Sequence, residues 1–426
     1  MKHTKFICVV VTLLYAFVAT VKAGEWIREQ DRFPYALVQE PAAQAGAYMY
    51  AGTGLPYYPS GEFAAVPDSL STIFVNHIGR HGARFLSSSK YTKKVLNYLH
   101  RCGPLSPIGR NMLWLCNRID SITADRWGAL DSIGKNEQDS IGTRFYHRYP
   151  GLFERRDSIY GFSSYVPRCV MSMDCMTHAV IWCRPKINMA AGSGPRFNNL
   201  VRFFETNDAY KEYMKSTGWR AAYDAYVDSI CPVEPVLRLA LHAPEISKHE
   251  AQKIAMAMYK VVAGGMCIID YLDWRPFFLE QEYRELWQIS NLQHYLTHSA
   301  NIFSLEPEQM ARPLLRELIA TLDSAANQDY DGPAAIVRFG HAETLMPLLS
   351  LMHIDGCRYI SANLESVANN WQDSYIVPMA ANLQLALCRS KLTDKLYLIT
   401  YLNEGMVGKP QLWEKARKTL VGYCIY

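Results

Sequence analysis

The segment Ile73 to Ser89, IFVNHIGRHGARFLSSS, places one imidazole between two guanidinium groups: Arg80, His81 and Arg84, with Gly79 and Gly82 bracketing the Arg-His pair. Guanidinium groups bind phosphate oxygens through planar forks of N–H donors and neutralise charge on a transferring phosphoryl group. His81 is the good nucleophile in this set, so the chemistry on offer is attack of an imidazole on phosphorus. Gly82 lets the backbone bend tightly beside it. About 260 residues downstream, AAIVRFGHAE supplies a second set, His341 and Glu343. A departing alkoxide needs a proton, and Glu343 is the carboxyl best placed to give it, its neutral form favoured by the charge of a bound phosphate. His341 would then donate to phosphoryl oxygens. Plainer uses exist for both sets: a basic turn after a strand is often only a solvated loop, and an acid such as Glu343 commonly caps a following helix.

Both sets require strands behind them. Ile73, Phe74 and Val75 form an apolar run that predicts a buried strand, and the run from Ala334 predicts another, followed by a helix over Thr344 to His353. In an α/β sheet, ligands sit at the carboxyl ends of the strands. The two loops can meet only if the two strands are neighbours in one sheet. Helices are predicted over Lys90 to His100, from Asn111 to Ile119 and within Leu130 to Pro150. Tyr165 to Arg168 predicts a short strand running into a helix that continues through Ile181. Further strands are predicted over Ile376 to Cys388 and Leu396 to Leu402, then a loop at Asn403, Glu404 and Gly405 and a final helix. From about Arg196 to Asp323 amphipathic helical patterns dominate, as over Asn207 to Tyr226, Ser247 to Ala263 and Pro276 to His298, with Pro232, Pro235 and Pro244 as breakers. From its residue type alone, Arg168 is an ordinary strand-end arginine. His294 and His298 lie one helical turn apart, but without an HExxH pattern they are expected to be ordinary helix histidines rather than metal ligands.

The amino terminus, MKHTKFICVVVTLLYAFVATVKAGEW, has Lys2 and Lys5 ahead of an apolar run to Ala19, then Val21-Lys22-Ala23. This is the pattern of a secretory signal over residues 1–23, and it predicts an exported protein, periplasmic or secreted, with no stable membrane insertion after cleavage. Removing Lys2, Lys5 and Lys22 takes the formal net charge from +4 to +1, so nothing points to a nucleic-acid partner. No oligomeric state follows from the sequence. Of the 11 cysteines, Cys8 leaves with the signal; the remaining even number permits disulfides, several are expected to be plain buried thiols, and no CxxC pair suggests a structural zinc. A Walker loop, a Gly-x-Ser-x-Gly elbow and a Pro-Cys-x-x-Cys partner for His-x-Glu are missing too.

Arg80-His81-Gly82-x-Arg84 resembles the signature of the histidine phosphatase superfamily, in its histidine acid phosphatase branch. Phe339-Gly340-His341-Ala342-Glu343-Thr344-Leu345 is similar to the His-Ala-Glu run of the multiple inositol polyphosphate phosphatases, where acid phosphatases and many phytases have His-Asp. Phe85 and Leu86 stand where acid phosphatase and phytase members usually have a proline. The resemblance implies an α/β histidine phosphatase fold, a central mainly parallel sheet flanked by helices, over residues 24–190 and 324–426, with a helical insertion domain over 191–323. It implies His81 as nucleophile, Glu343 as proton donor, and Arg80, Arg84, His341 and a third arginine, matched by Arg168 four residues before Ser172, around the phosphate. No metal or other cofactor is implied, because arginines supply the positive charge. The substrate implied is an inositol polyphosphate such as phytate, with a broad-specificity acid phosphatase, or a non-catalytic inositol phosphate binding protein on the same fold, as alternatives. A phosphomutase on that scaffold is normally cytosolic, at odds with a signal. A polyphosphorylated substrate should meet further positive charge, for which Lys90, Lys93, Lys94, Arg184 and Lys186 are candidates, each with solvated surface as its plainer use.

Overall fold

The computed structural model describes residues 49–57, 64–269 and 272–425. The expected signal over residues 1–23, and Trp26, Phe33, Tyr48 and Tyr58 of the amino-terminal arm, lie outside them. The strands are β1 (Leu70–Arg80), β2 (Ser158–Ser163), β3 (Asn188–Ser193), β4 (Ala335–Gly340), β5 (Asn382–Ser390), β6 (Leu396–Leu402) and β7 (Gly405–Leu412), in one sheet of order β3-β2-β4-β1-β5-β6-β7. The helices used below are α1 (Lys90–Leu99), α2 (Pro107–Thr123), α3 (Ser132–Arg148), α4 (Pro167–Cys183), α5 (Lys248–Gly265), α6 (Glu280–His298), α7 (Arg312–Ala326), α8 (Ala342–Leu351) and α9 (Trp413–Ile425).

β1 lies at the centre of the sheet, and its run is buried on both faces, as a strand between two helical layers must be. Its side chains alternate. Phe74 and Ile78 join the core beneath α5 to α8, whereas Val75 joins the opposite core with Ile141 and Phe145 of α3 and Met173, Met176 and Val180 of α4. β4 alternates in the same way, sending Ile336 to the first core and Val337 and Phe339 to the second. Arg338, fully buried on the first side, is held by Glu317 of α7 at 2.7 and 2.8 Å and by the Asn76 side chain at 2.9 Å.

β2, β3, β4 and β1 are parallel, as expected, and this half carries the carboxyl-end loops that matter below. β5 runs antiparallel to β1, and short turns join β5 to β6 and β6 to β7, which makes those pairs antiparallel as well. β1 and β4 are hydrogen-bonded neighbours, with Arg80 opposite Gly340. Between β3 and β4 the named elements are all helical among the described residues, with the Asn207 to Tyr226 pattern split into Asp208–Lys215 and Gly218–Ile230. Several expectations are corrected: the strand expected from Ile376 begins only at Asn382, after a helical turn at Asp373–Ile376; Asn403 and Glu404 turn into the further strand β7 rather than into the final helix; and Tyr165 to Arg168 is not a strand. The strand ends at Ser163, and Pro167 starts α4, its fixed φ and missing N–H suiting the first helical position. The ten cysteines described are all unpaired, and most are buried. Among the described residues no helix is long and apolar enough to cross a membrane.

Candidate active site

The carboxyl ends of β1, β4 and β2 lie side by side, and each hands over to a loop with chemistry on it. The His81 N–H donates to Gly340 O at 3.1 Å and the Ser164 N–H to Phe339 O at 2.9 Å, so the three loops are stitched together at their roots. Below them α3 anchors the first loop. Glu137 accepts from the Ala83 N–H at 2.6 Å and the Tyr57 N–H at 2.7 Å, while Gln138 donates to Arg80 O at 3.0 Å. Burial raises Glu137 to about 7 against the pull of those two N–H groups.

Gly82 is needed for space rather than for an unusual backbone angle. A Cβ there would lie 2.4 Å from Gly134 O, where the first turn of α3 presses on the loop. Gly82→Ala is expected to destabilise the protein by about 1–3 kcal/mol through overpacking. A thermal melt unchanged within a degree would refute that close packing.

These elements bring together Arg80, His81, Arg84, Arg168, His341 and Glu343, all lining one cleft. The His81 and His341 rings are 5.6 Å apart, centre to centre. His81 Nδ1 is 2.9 Å from Gly82 O, an acceptor only, so the ring hydrogen sits on Nδ1 and Nε2 keeps its lone pair. Burial first, then the charges of Arg80, Arg168 and Arg84, push its pKa well below the usual imidazole value. A neutral imidazole with a free Nε2 is a nucleophile.

The arginines crowd around it at a cost. Arg84 is lowered to about 10 by burial and by Arg168 and Arg80; Arg80 and Arg168 are lowered too, each mainly by burial. Arg80 donates to Thr53 O at 2.8 Å and Val377 O at 2.6 Å, which fixes its fork. The Nε atoms of Arg80, Arg84 and Arg168 are buried without a hydrogen-bond partner among the described residues. Unsatisfied buried donors on like-charged groups are costly, and an anion with several acceptor oxygens is the partner that suits them.

Arg168 stands on the first turn of α4, and Ser172 one turn on accepts from the Gly82 N–H at 3.1 Å. Glu343 likewise lies in the first turn of α8, which begins at Ala342 rather than at Thr344 as expected, so the capping use and a place in the cleft coexist. Burial favours the neutral carboxyl, but the imidazoles of His341 and His298, its own backbone N–H and Arg80 outweigh it. The pair settles with Glu343 ionised and His341, mainly by burial, neutral. A bound phosphate would push Glu343 the other way.

Sequence reasoning missed three groups. Arg202 donates to His341 Nε2 at 2.7 Å and is itself held by Glu205, with Tyr165 and Phe204 rings against its guanidinium. Because Nε2 accepts, the neutral His341 ring carries its hydrogen on Nδ1, which lies 3.4 Å from an Arg168 nitrogen. Two donors side by side suit one shared oxygen. Lys260 of α5 and His294 of α6 also line the cleft, Lys260 donating to Ser290 Oγ at 2.6 Å and His294 Nδ1 lying 2.6 Å from the buried Asp373 carboxylate. In the sequence Lys260 and Arg202 are single cations within helical patterns; only folding assigns them to the cleft. Lys90, Lys93 and Lys94 line a separate groove, and neither Arg184 nor Lys186 lines the cleft.

His77, His298, His81 and His341 are all held below their ordinary value chiefly by burial, His77 to about 3 and His298 to about 4. Unfolded, each takes up a proton near pH 6.5, while folded it does not. Stability is therefore complete above that value and is lost as pH falls below it, by about 1.4 kcal/mol per pH unit for each such group. Melts between pH 7 and 5 should show the midpoint falling with acid; a midpoint rising over that range would contradict the neutral histidines.

Comparisons with known proteins agree with this architecture. A family model described as "Histidine phosphatase superfamily (branch 2)" matches residues 222–403. Multiple inositol polyphosphate phosphatase 1 of Gallus gallus is 23% identical over 391 residues, which cover 86% of this chain and 82% of that protein. The crystal structure of the Bifidobacterium longum multiple inositol polyphosphate phosphatase in complex with inositol hexasulfate superposes with a TM-score of 0.72 at 17% identity, covering 84% of this chain and 92% of that one. The phytase from D. castellii superposes with a TM-score of 0.68 at 13% identity, over 92% and 90% of the two chains.

Proposed function

We propose that this chain is a histidine phosphatase of the superfamily's branch 2, whose family model matches residues 222–403, and within it an exported phosphomonoesterase that hydrolyses inositol polyphosphates such as phytate. The observation that carries the chemistry is the convergence of Arg80, Arg84 and Arg168, with unsatisfied Nε donors, on a neutral imidazole. His81 Nε2 attacks phosphorus as the bond to the ester oxygen breaks, and Glu343 delivers a proton to that oxygen. Arg80, Arg84, Arg168 and the Nδ1–H of His341 hold the non-bridging oxygens through the transfer. Water then attacks the phosphohistidine, Glu343 takes its proton, and inorganic phosphate leaves.

Two features support a substrate bearing several phosphates. The cleft adds Lys260 and His294 to the arginines, and the relatives named above are inositol polyphosphate phosphatases and a phytase. The test is phosphate release from phytate, with a chelator present, beside release from a small aryl phosphate. Release from both supports the proposal. Release from the aryl ester alone keeps the catalytic groups and rejects the inositol phosphate substrate.

A further inference from the structure

A second groove lies beside the cleft, between α1 and the amino-terminal half of α5. Lys90, Lys93 and Lys94 line it from α1 and Lys253 from α5, with His249 at its edge. Its one lining carboxylate, Glu250, is engaged by Arg101 at 2.6 Å. The four lysines therefore have no ion-pair partner among the described residues.

That arrangement works against the fold. Lys90 and Lys94 are one helical turn apart, as are Lys90 and Lys93, so their charges repel across the α1 surface. They also sit at the start of α1, where the helix dipole is positive and carboxylates are favoured, and its first turn holds no acid. Local rules broken without a structural return are expected where a ligand is bound. Lysine ammonium groups act as separate point charges, so four of them spread over a groove suit a ligand with several phosphates rather than one carboxylate.

The groove neighbours the cleft, because α1 and α5 line both. Tyr91 lines the cleft while Lys90 lines the groove, and α5 carries Lys260 in the cleft and Lys253 in the groove. The two lysines share a helix face about 10 Å apart at ~1.5 Å rise per residue. We propose that this groove is a docking site for a second multiply phosphorylated small molecule, held next to the cleft and raising the local concentration of substrate at its mouth. The choice of ligand rests on the phosphoester reading of the cleft.

The probe is inositol hexasulfate, titrated calorimetrically at low ionic strength into the protein and into the K93Q/K94Q/K253Q variant. The parent is expected to bind two equivalents and the variant one. The variant should also lose roughly three- to tenfold in kcat/KM for phytate at low salt, a loss that closes at about 0.5 M salt as screening sets in. Its kcat on a small aryl phosphate should be unchanged, which shows that the fold is intact. One equivalent in the parent, or two surviving in the variant, overturns the docking site. Turnover separates the two readings: phytate hydrolysis with a single equivalent bound rejects the groove alone, whereas two equivalents without phytate hydrolysis rejects the substrate assignment alone.

Discussion

His81→Ala is expected to lower kcat on phytate by roughly four to six orders of magnitude, the scale on which removing a covalent nucleophile acts. Neither of the other histidines lining the cleft among the described residues can replace it: His341 Nε2 is occupied by Arg202, and His294 is held against Asp373. The arginines that hold phosphate are anchored independently of the His81 ring, Arg80 by two carbonyls and Arg84 by Phe85 O. Affinity for inositol hexasulfate should therefore change only a few-fold. Loss in the variant of the ³²P label that in the parent survives alkali and is released by acid, as a phosphohistidine is, identifies the bond that forms. Because burial and neighbouring charge hold His81 neutral, its nucleophilicity should also persist as pH falls from 6.5 to 5. Turnover by the alanine variant within tenfold of the parent would sink the assignment.

Glu343→Gln should divide substrates by their leaving group. The amide keeps the shape of the side chain and the first turn of α8 but cannot give up a proton, so alkyl phosphates such as those of inositol are expected to slow by about 10²–10⁴. An aryl phosphate leaves as a stabilised phenolate and needs little protonation. Its first step should survive, while hydrolysis of the phosphohistidine, which needs the carboxylate as base, becomes limiting. The signature is a burst of phenol near one equivalent followed by a slow phase, with phosphohistidine accumulating. Equal losses on both substrates and no burst would remove Glu343 from proton transfer. The charge of a bound phosphate shifts this carboxyl towards its proton-donating form, which ties acid catalysis to occupancy of the cleft.

Much of this site was legible because its chemistry is packed into two short runs. The apolar run before Arg80 and the one before His341 announce strands, and the topology requirement that they be neighbours is met by β1 and β4. Arg168 stands out through the family resemblance rather than through its residue type, and its place on a helix is masked by the strand-like Tyr165 and Val166, although proline at 167 suits the first turn of a helix. β2, SIYGFS, and β3, NMAAGS, escaped notice because both are short and small residues interrupt their apolar pattern. Arg202, Lys260 and His294 could not be found from spacing at all. Each lies in a region of helical pattern where single polar residues carry no period, and their use follows from which helix face meets the sheet. The lysines of α1 were visible as charge, but only packing against α5 shows that they line a groove of their own.

The pairing of Arg80 with Gly340 also dictates when the protein becomes active. The two strands that present His81 and His341 are separated by about 260 residues, so forming their ladder closes one of the longest loops the chain can make. Such non-local pairings form late and slow folding, whereas the helices between them are built from neighbours in sequence. On refolding, helical signal should return well before phosphate release. Because the nucleophile arrives from one end of that loop and the proton donor from the other, neither half of the chain can acquire activity by itself, and a partly folded chain carries no premature phosphatase.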